Sequence, residues 1–321
     1  MVIFTELVCK VLRRFNIELV PYGAFYPGHF YSPIPSEEDV KIGIKRLKMP
    51  GHKNYPGLSP NPSEEDVEIG IGRLKMPREL PGINLNEKNQ FDNLVRLSKY
   101  YNDLPFPDNK TDELRYCYNN GSYSYTDAIF LYSMIRDIKP KRIIEIGCGQ
   151  TTALITDVNE TYFNYGINHT CIEPYPTYLY ECIRSEDVER ITVIEKKLQD
   201  VDIELFESLS QDDLLFIDSS HVVKFDSDVF HIFYNILPSL KKGVFIHFHD
   251  IFYPFEMPQK WIEDGRYWNE NYFLRNFLAY NNEFEIYLFA TFLHNFYEDW
   301  FSENMPLTLK DWGGNIYLRR I

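Results

Sequence analysis

Cysteine is scarce and shows no pairing pattern. The five cysteines of this 321-residue chain, Cys9, Cys117, Cys148, Cys171 and Cys182, are odd in number and form no CxxC pair. Neither a disulfide framework nor a zinc knuckle is indicated, and a reducing compartment is expected. Long apolar runs are absent as well: charges interrupt every stretch before about 18 apolar residues accumulate, so no membrane span or secretory core is expected and the location reads as cytoplasmic. Positive charge is in deficit. Lys and Arg number 33 against 47 Asp and Glu, a net charge of -14, which repels a phosphate backbone and argues against nucleic acid as partner. What is abundant is apolar and aromatic surface, 44% and 16% of residues, enough for one large core or two smaller ones.

The chain divides at about residue 121. Its first residues, MVIFTELVCKVLRRF, place Phe4, Leu7, Val8, Val11, Leu12 and Phe15 at helical spacing with Glu6, Lys10, Arg13 and Arg14 opposite, an amphipathic helix expected to pack on the protein's own body. A duplication follows. Pro-Ser-Glu-Glu-Asp-Val at 35–40 recurs at 62–67, and IGIKRLKMP at 42–50 recurs as IGIGRLKMP at 69–77, an offset of 27 residues. Two copies are too few for a solenoid. Each copy offers Ser36 or Ser63 as a helix cap, then a short helix stopped by Pro50 or Pro77, so surface turns are expected. Residues 1–121 thus read as an N-terminal extension and 122–321 as a separate domain.

In that domain the texture becomes an alternation of strands and helices. Thr126 is placed to cap a helix running to Pro140. Strands are predicted at 141–147, 169–173, 191–196, 213–219 and 243–250, with helices near 151–157, 176–184, 201–209 and 227–239 and a last strand pair at 284–290 and 314–321. The apolar runs show no strict alternation, as expected of strands buried on both faces, and the βαβ series implies a doubly wound, mostly parallel α/β sheet. Glu145-Ile-Gly-Cys-Gly-Gln-Thr-Thr152 then joins the first strand to a helix. Gly147 and Gly149 allow a tight turn and close approach of a ligand. Thr152 stands where the dinucleotide fingerprint needs its third glycine, which disfavours a nicotinamide cofactor. Glu145 beside the loop suits a cationic ligand better than a phosphate.

These residues resemble the class I S-adenosylmethionine-dependent methyltransferases, whose first motif is an acidic residue followed by GxG. The match continues in order: Glu173 in Cys-Ile-Glu-Pro at the ribose-binding acidic position, Gln199-Asp200 at the adenine-contacting segment, and Asp218-Ser-Ser-His221 and His247-Phe-His249-Asp250 like the DxxH and HD elements of a small-molecule subgroup. The resemblance covers about 122–321. It implies a seven-stranded Rossmann-like sheet of order 3-2-1-4-5-7-6 with strand 7 antiparallel. It also implies S-adenosyl-L-methionine as cofactor, held by Glu145, Gly147, Gly149, Thr151, Glu173, Gln199, Asp200 and Asp218, and a small-molecule methyl acceptor, a hydroxyl of a sugar or secondary metabolite.

Ligands of doubly wound sheets bind beyond the carboxyl ends of the strands, and each of these residues lies there. Methyl transfer from a sulfonium requires that the acceptor be aligned and deprotonated. Two arrangements do this. His221 or His249, titrating near its ordinary value, can act as base beside Asp250. Alternatively Asp218, His249 and Asp250 can bind a divalent metal that acidifies the acceptor hydroxyl. His247 is two residues further from the strand tip and reads as a core histidine. The aromatic run Phe252–Pro258 with Trp261, Tyr267 and Trp268 is a candidate wall or lid. Two other functions share this fold, a noncatalytic cofactor-binding protein and an NAD-dependent oxidoreductase.

Overall fold

The computed structural model describes residue 32 and residues 76–263 and 266–321. The amphipathic N-terminal helix and all but the last two residues of the duplicated unit lie outside the described residues.

Seven strands form one sheet: β1 (Arg142–Ile146), β2 (Asn168–Ile172), β3 (Thr192–Ile194), β4 (Leu214–Ile217), β5 (Phe245–His249), β6 (Phe284–Phe289) and β7 (Asn315–Arg320). Their order is β3-β2-β1-β4-β5-β7-β6, with β7 antiparallel to both neighbours. The chain lays β2 and β3 on one side of β1 and β4 onward on the other, and this reversal between β1 and β4 opens a crevice at the carboxyl ends. Each strand begins or ends within three residues of its predicted limits. The apolar runs explain why: Leu214, Leu215, Phe216 and Ile217 are all within 1% of full burial, because helices cover both faces. Each such side chain contributes about 1.5–3 kcal/mol by leaving water.

The helices are α1 (Glu87–Leu97), α2 (Tyr125–Ile138), α3 (Gln150–Phe163), α4 (Thr177–Cys182), α5 (Ile203–Glu207), α6 (Asp228–His231), α7 (Gln259–Glu263), α8 (Glu270–Leu278) and α9 (Ala290–Asn304). Behind α6 the chain continues through a π-helical turn, Ile232–Ile236, into Leu237–Ser239. Pro238 lacks an N–H to donate, and the widened turn precedes it. Ser124, not Thr126, precedes α2, and its side chain does not cap the helix. Thr126 is inside the helix and fully buried, its hydroxyl donating to the Thr308 carbonyl at 2.9 Å. The apolar surroundings of Thr126 made a tertiary partner available, and this outweighed local capping.

Residues before 122 join the same core. Phe106, Tyr116 and Tyr118 pack edge to face against one another, and Phe106 also against Tyr132 of α2. Gln90 of α1 is buried and accepts from the Phe289 amide at 2.7 Å, which ties α1 to β6.

Candidate active site

The strand tips build the site from two sides. On the first, the chain leaves β1 through Gly147, whose φ of 78° lies in the left-handed region. A Cβ there would stand 1.9 Å from the Asp218 carbonyl oxygen, so the β1 and β4 tips touch through bare backbone. The Gly147 amide donates to the Ile172 carbonyl at 3.1 Å, binding the loop to β2. Below the loop Glu145 is completely buried. Its carboxylate accepts from Thr151, from Thr152 at 2.8 Å and pairs with His169 Nε2 at 2.8 Å. Glu145 and Thr151 therefore brace the loop from beneath. Burial alone would lower the His169 imidazole, but Cys171 and Glu145 hold it up at about 10.

Glu173 ends β2 beside the loop. Its carboxylate accepts from the Tyr175 amide at 2.8 Å and from the Cys148 amide, and burial pushes its pKa up against those two donors. Gln199 follows β3 and its amide donates to the Asp226 carbonyl, whereas Asp200 is exposed. Gly147 thus meets Asp218, and Glu173 is tied to the loop between Gly147 and Gly149.

On the second side, β4 and β5 bring four acids and two histidines together. His221 Nε2 is 3.3 Å from Asp218 Oδ1 and 3.5 Å from Asp250 Oδ2, while its Nδ1 is 2.9 Å from Glu270 Oε2. His249 Nδ1 is 3.4 Å from Asp218 and 3.8 Å from Asp250, while its Nε2 is 3.5 Å from Asp127. His221 and Asp250 have φ of 58° and 56°, a costly conformation for residues with a Cβ and one that clusters at functional sites. Only Asp218 opens substantially to solvent, its side chain 35% exposed against 16% for Asp250 and 3% for His221. Asp218 is the open member and both histidines are buried.

The charges of this cluster set one another. Burial would lower the His221 ring, but Asp218, Glu270 and Asp250 outweigh it and hold the ring up at about 10. His249 is likewise raised, by Asp250, Asp218 and Asp127, against burial. Burial would raise Asp218, yet His249 and His221 hold it far below the usual carboxylate range. Burial pushes Asp250 and Glu270 up. The expectation of a histidine titrating near its ordinary value is therefore corrected: three carboxylates around one imidazole favour its charged form.

Residues 144–251 match the model of a methyltransferase domain family, a span that runs from β1 through the Asp250 tip. An uncharacterized protein of Archaeoglobus fulgidus is 31% identical over 190 residues, 58% of this chain and 74% of that protein. The chain carries a methyltransferase domain. Among solved structures the methyltransferase is similar to the O-methyltransferase TomG of Streptomyces achromogenes, solved with the cofactor, at 12% identity over 79% of this chain and 95% of that one, TM-score 0.36. It is also similar to a caffeoyl-CoA O-methyltransferase assignment from Staphylococcus aureus, at 18% identity over 58% and 88%, TM-score 0.32.

In the methyltransferase, Asp218, His221 and Asp250 each offer a ligand atom within 4.8 Å of the other two, so His221 joins the carboxylates beside the expected His249. The second nitrogen of His249 faces Asp127. His247 is in the core, stacked on Phe216 at 4.1 Å, and burial pushes its pKa well down. Trp268 packs 4.5 Å from the His221 ring with Met257 and Trp261 beside it, whereas Tyr253 and Phe255 pack into the main core against Phe289. Two site residues, Asp127 and Glu270, carried no sequence signal: each lies near the start of a helix, Asp127 122 residues from His249 and Glu270 49 residues from His221, the histidines they meet.

Proposed function

We propose that this methyltransferase transfers the methyl group of S-adenosylmethionine to a hydroxyl of a small molecule, with the crevice between the β1 and β4 tips taking the cofactor. Glu173 would accept hydrogen bonds from the ribose hydroxyls, Gln199 and Asp200 would border the adenine, and the Gly147-Cys-Gly149 backbone would approach the methionine portion. The observation that carries the reading is the cluster Asp218, His221, His249 and Asp250 with Asp127 and Glu270 behind it. Four carboxylates against two imidazoles leave an excess of negative charge, which suits a sulfonium cation.

Asp218, the open member, would meet the acceptor. Asp250, its carboxyl pushed up by burial, would take the hydroxyl proton as the methyl leaves sulfur, the charged His221 ring would hold Asp218 and Asp250 in place, and Trp268 against that ring would exclude water. The same cluster supports a second reading, in which Asp218, His221 and Asp250 hold a divalent cation that, when bound, lowers the acceptor pKa. The donor set fits: two carboxylate oxygens with an imidazole whose far nitrogen is paired to a carboxylate, Glu270. An imidazole favours manganese, iron or zinc over magnesium.

Titration calorimetry tests the cofactor. S-adenosylmethionine and its demethylated product should bind, and Glu173→Ala should weaken both by about 1.5–3 kcal/mol, the range for hydrogen bonds to a charged group. Preference for NAD, or undiminished affinity in the folded variant, would remove the assignment. Asp250→Asn should abolish transfer of labelled methyl with little change in cofactor affinity.

A further inference from the structure

The loop that carries the two glycines also carries a thiol. Cys148 stands between them, its Sγ 3.7 Å from the Glu145 carbonyl oxygen and 3.8 Å from that of Ile172. Cys171, in register with Glu145 across β1 and β2, is fully buried with its Sγ 3.6 Å from both Glu145 Oε2 and His169 Nε2. Both thiols are free, and the two sulfurs and a Glu145 oxygen lie within 4.8 Å of one another. Side-chain rotation with a small shift of the loop would bring such sulfurs to the bonded separation of about 2.05 Å.

A metal ion is the rival occupant of this trio, and Glu145 argues against it. Its carboxylate already accepts from Thr151 and Thr152 and pairs with His169, so a metal would strip three partners from a buried charge. A sulfur–sulfur bond breaks only the long thiol contacts. The pair is also poised for reaction. The Cys148 thiol, against the opposing effect of burial and with the aid of the His169 imidazolium, brings Cys171 down to about 7.

We propose that Cys148 and Cys171 are an oxidisable pair, and that their disulfide draws the glycine loop toward β2 and away from Glu173. Cys148, the partly exposed member, is kept protonated by burial, so it attacks a hydroperoxide oxygen as its proton passes to the Cys171 thiolate, and it is oxidised to a sulfenic acid as the O–O bond breaks and the leaving oxygen departs as water or alcohol. The Cys171 sulfur then attacks the Cys148 sulfur, the S–S bond forms and the sulfenic oxygen leaves as water with the Cys171 proton. Two thiols lose two electrons and two protons, and the peroxide takes up both. The Cys148 amide now donates to the Glu173 carboxylate. Pulling its side chain down toward Cys171 withdraws that donor and misplaces the loop, so the oxidised protein binds cofactor poorly. This consequence rests on the cofactor reading above; the thiol pairing does not.

The full chain is treated with hydrogen peroxide, alkylated, and analysed by peptide mass mapping and by calorimetry with S-adenosylmethionine. The peptides of Cys148 and Cys171 should be joined while Cys117 and Cys182 remain alkylated. Cofactor affinity should fall by about tenfold or more, the effect of losing one charge-assisted hydrogen bond, and dithiothreitol should restore it. Cys171→Ser, or Cys171→Ala if the buried hydroxyl prevents folding, should keep its affinity through the same treatment. Separate Cys148 and Cys171 peptides, an equivalent of metal in the reduced protein, or a complete cross-link with unchanged affinity would each overturn the proposal. Should the reduced protein bind no cofactor at all, the cofactor reading fails while the mass map still decides the pairing.

Discussion

His221 is held by three carboxylates, and its ring charge depends on all of them. Its folded value of about 10 lies above the ordinary 6.5, so the stability it contributes is fully present below about pH 6.5 and is lost as pH rises through about 10. Replacing Glu270 with Gln removes one of the charges that raise it and keeps a hydrogen-bond acceptor, so the ring should titrate at lower pH. Ring-proton NMR across pH 6–11 measures this directly, and an unmoved midpoint would show that Glu270 does not set the charge of His221. At this scale Asp218, His221, His249 and Asp250 were legible in the sequence because each lies within four residues of a strand end, where backbone geometry alone aims it. Asp127 and Glu270 were not, because helix positions reveal a face but not which strand tip that face will meet.

Among the elements, the turn from β1 into α3 has the least freedom. Gly147 combines a left-handed backbone with a carbonyl where its Cβ would go, so Gly147→Ala should cost at least about 2 kcal/mol, from the left-handed penalty of roughly 1–2 kcal/mol plus displacement of Asp218. Urea unfolding reads the loss as a lowered midpoint at unchanged slope. The glycine pattern was legible because tight turns demand glycine whatever surrounds them. The roles of Glu145 and Thr151 beneath the loop were not: the sequence shows a carboxylate beside a turn, but only β2 supplies His169, which turns that carboxylate inward. The start of α2 is a similar case, where Thr126 found its partner at Thr308, 182 residues away.

Across the whole molecule, every strand of the sheet and every tip residue of the site comes from residues 142–320. Deleting one copy of the duplicated unit, residues 36–62, leaves an intact copy and changes loop closure by well under about 1 kcal/mol. The shortened protein should fold and bind S-adenosylmethionine with the parent affinity, measured by calorimetry; an unfolded or nonbinding product would make the duplication integral to the core. Among the described residues no helix is long and apolar enough to cross a membrane. The sequence by itself determined the seven strands, their burial and the acid-and-glycine order along their tips, because strand period, turn chemistry and apolar run length are local properties. Only the tertiary structure decided which carboxylates surround which imidazole, that His221 and His249 both meet Asp218 and Asp250, and that two cysteines 23 residues apart meet at the glycine loop. Side-chain convergence across strands depends on packing and backbone strain that no local pattern encodes.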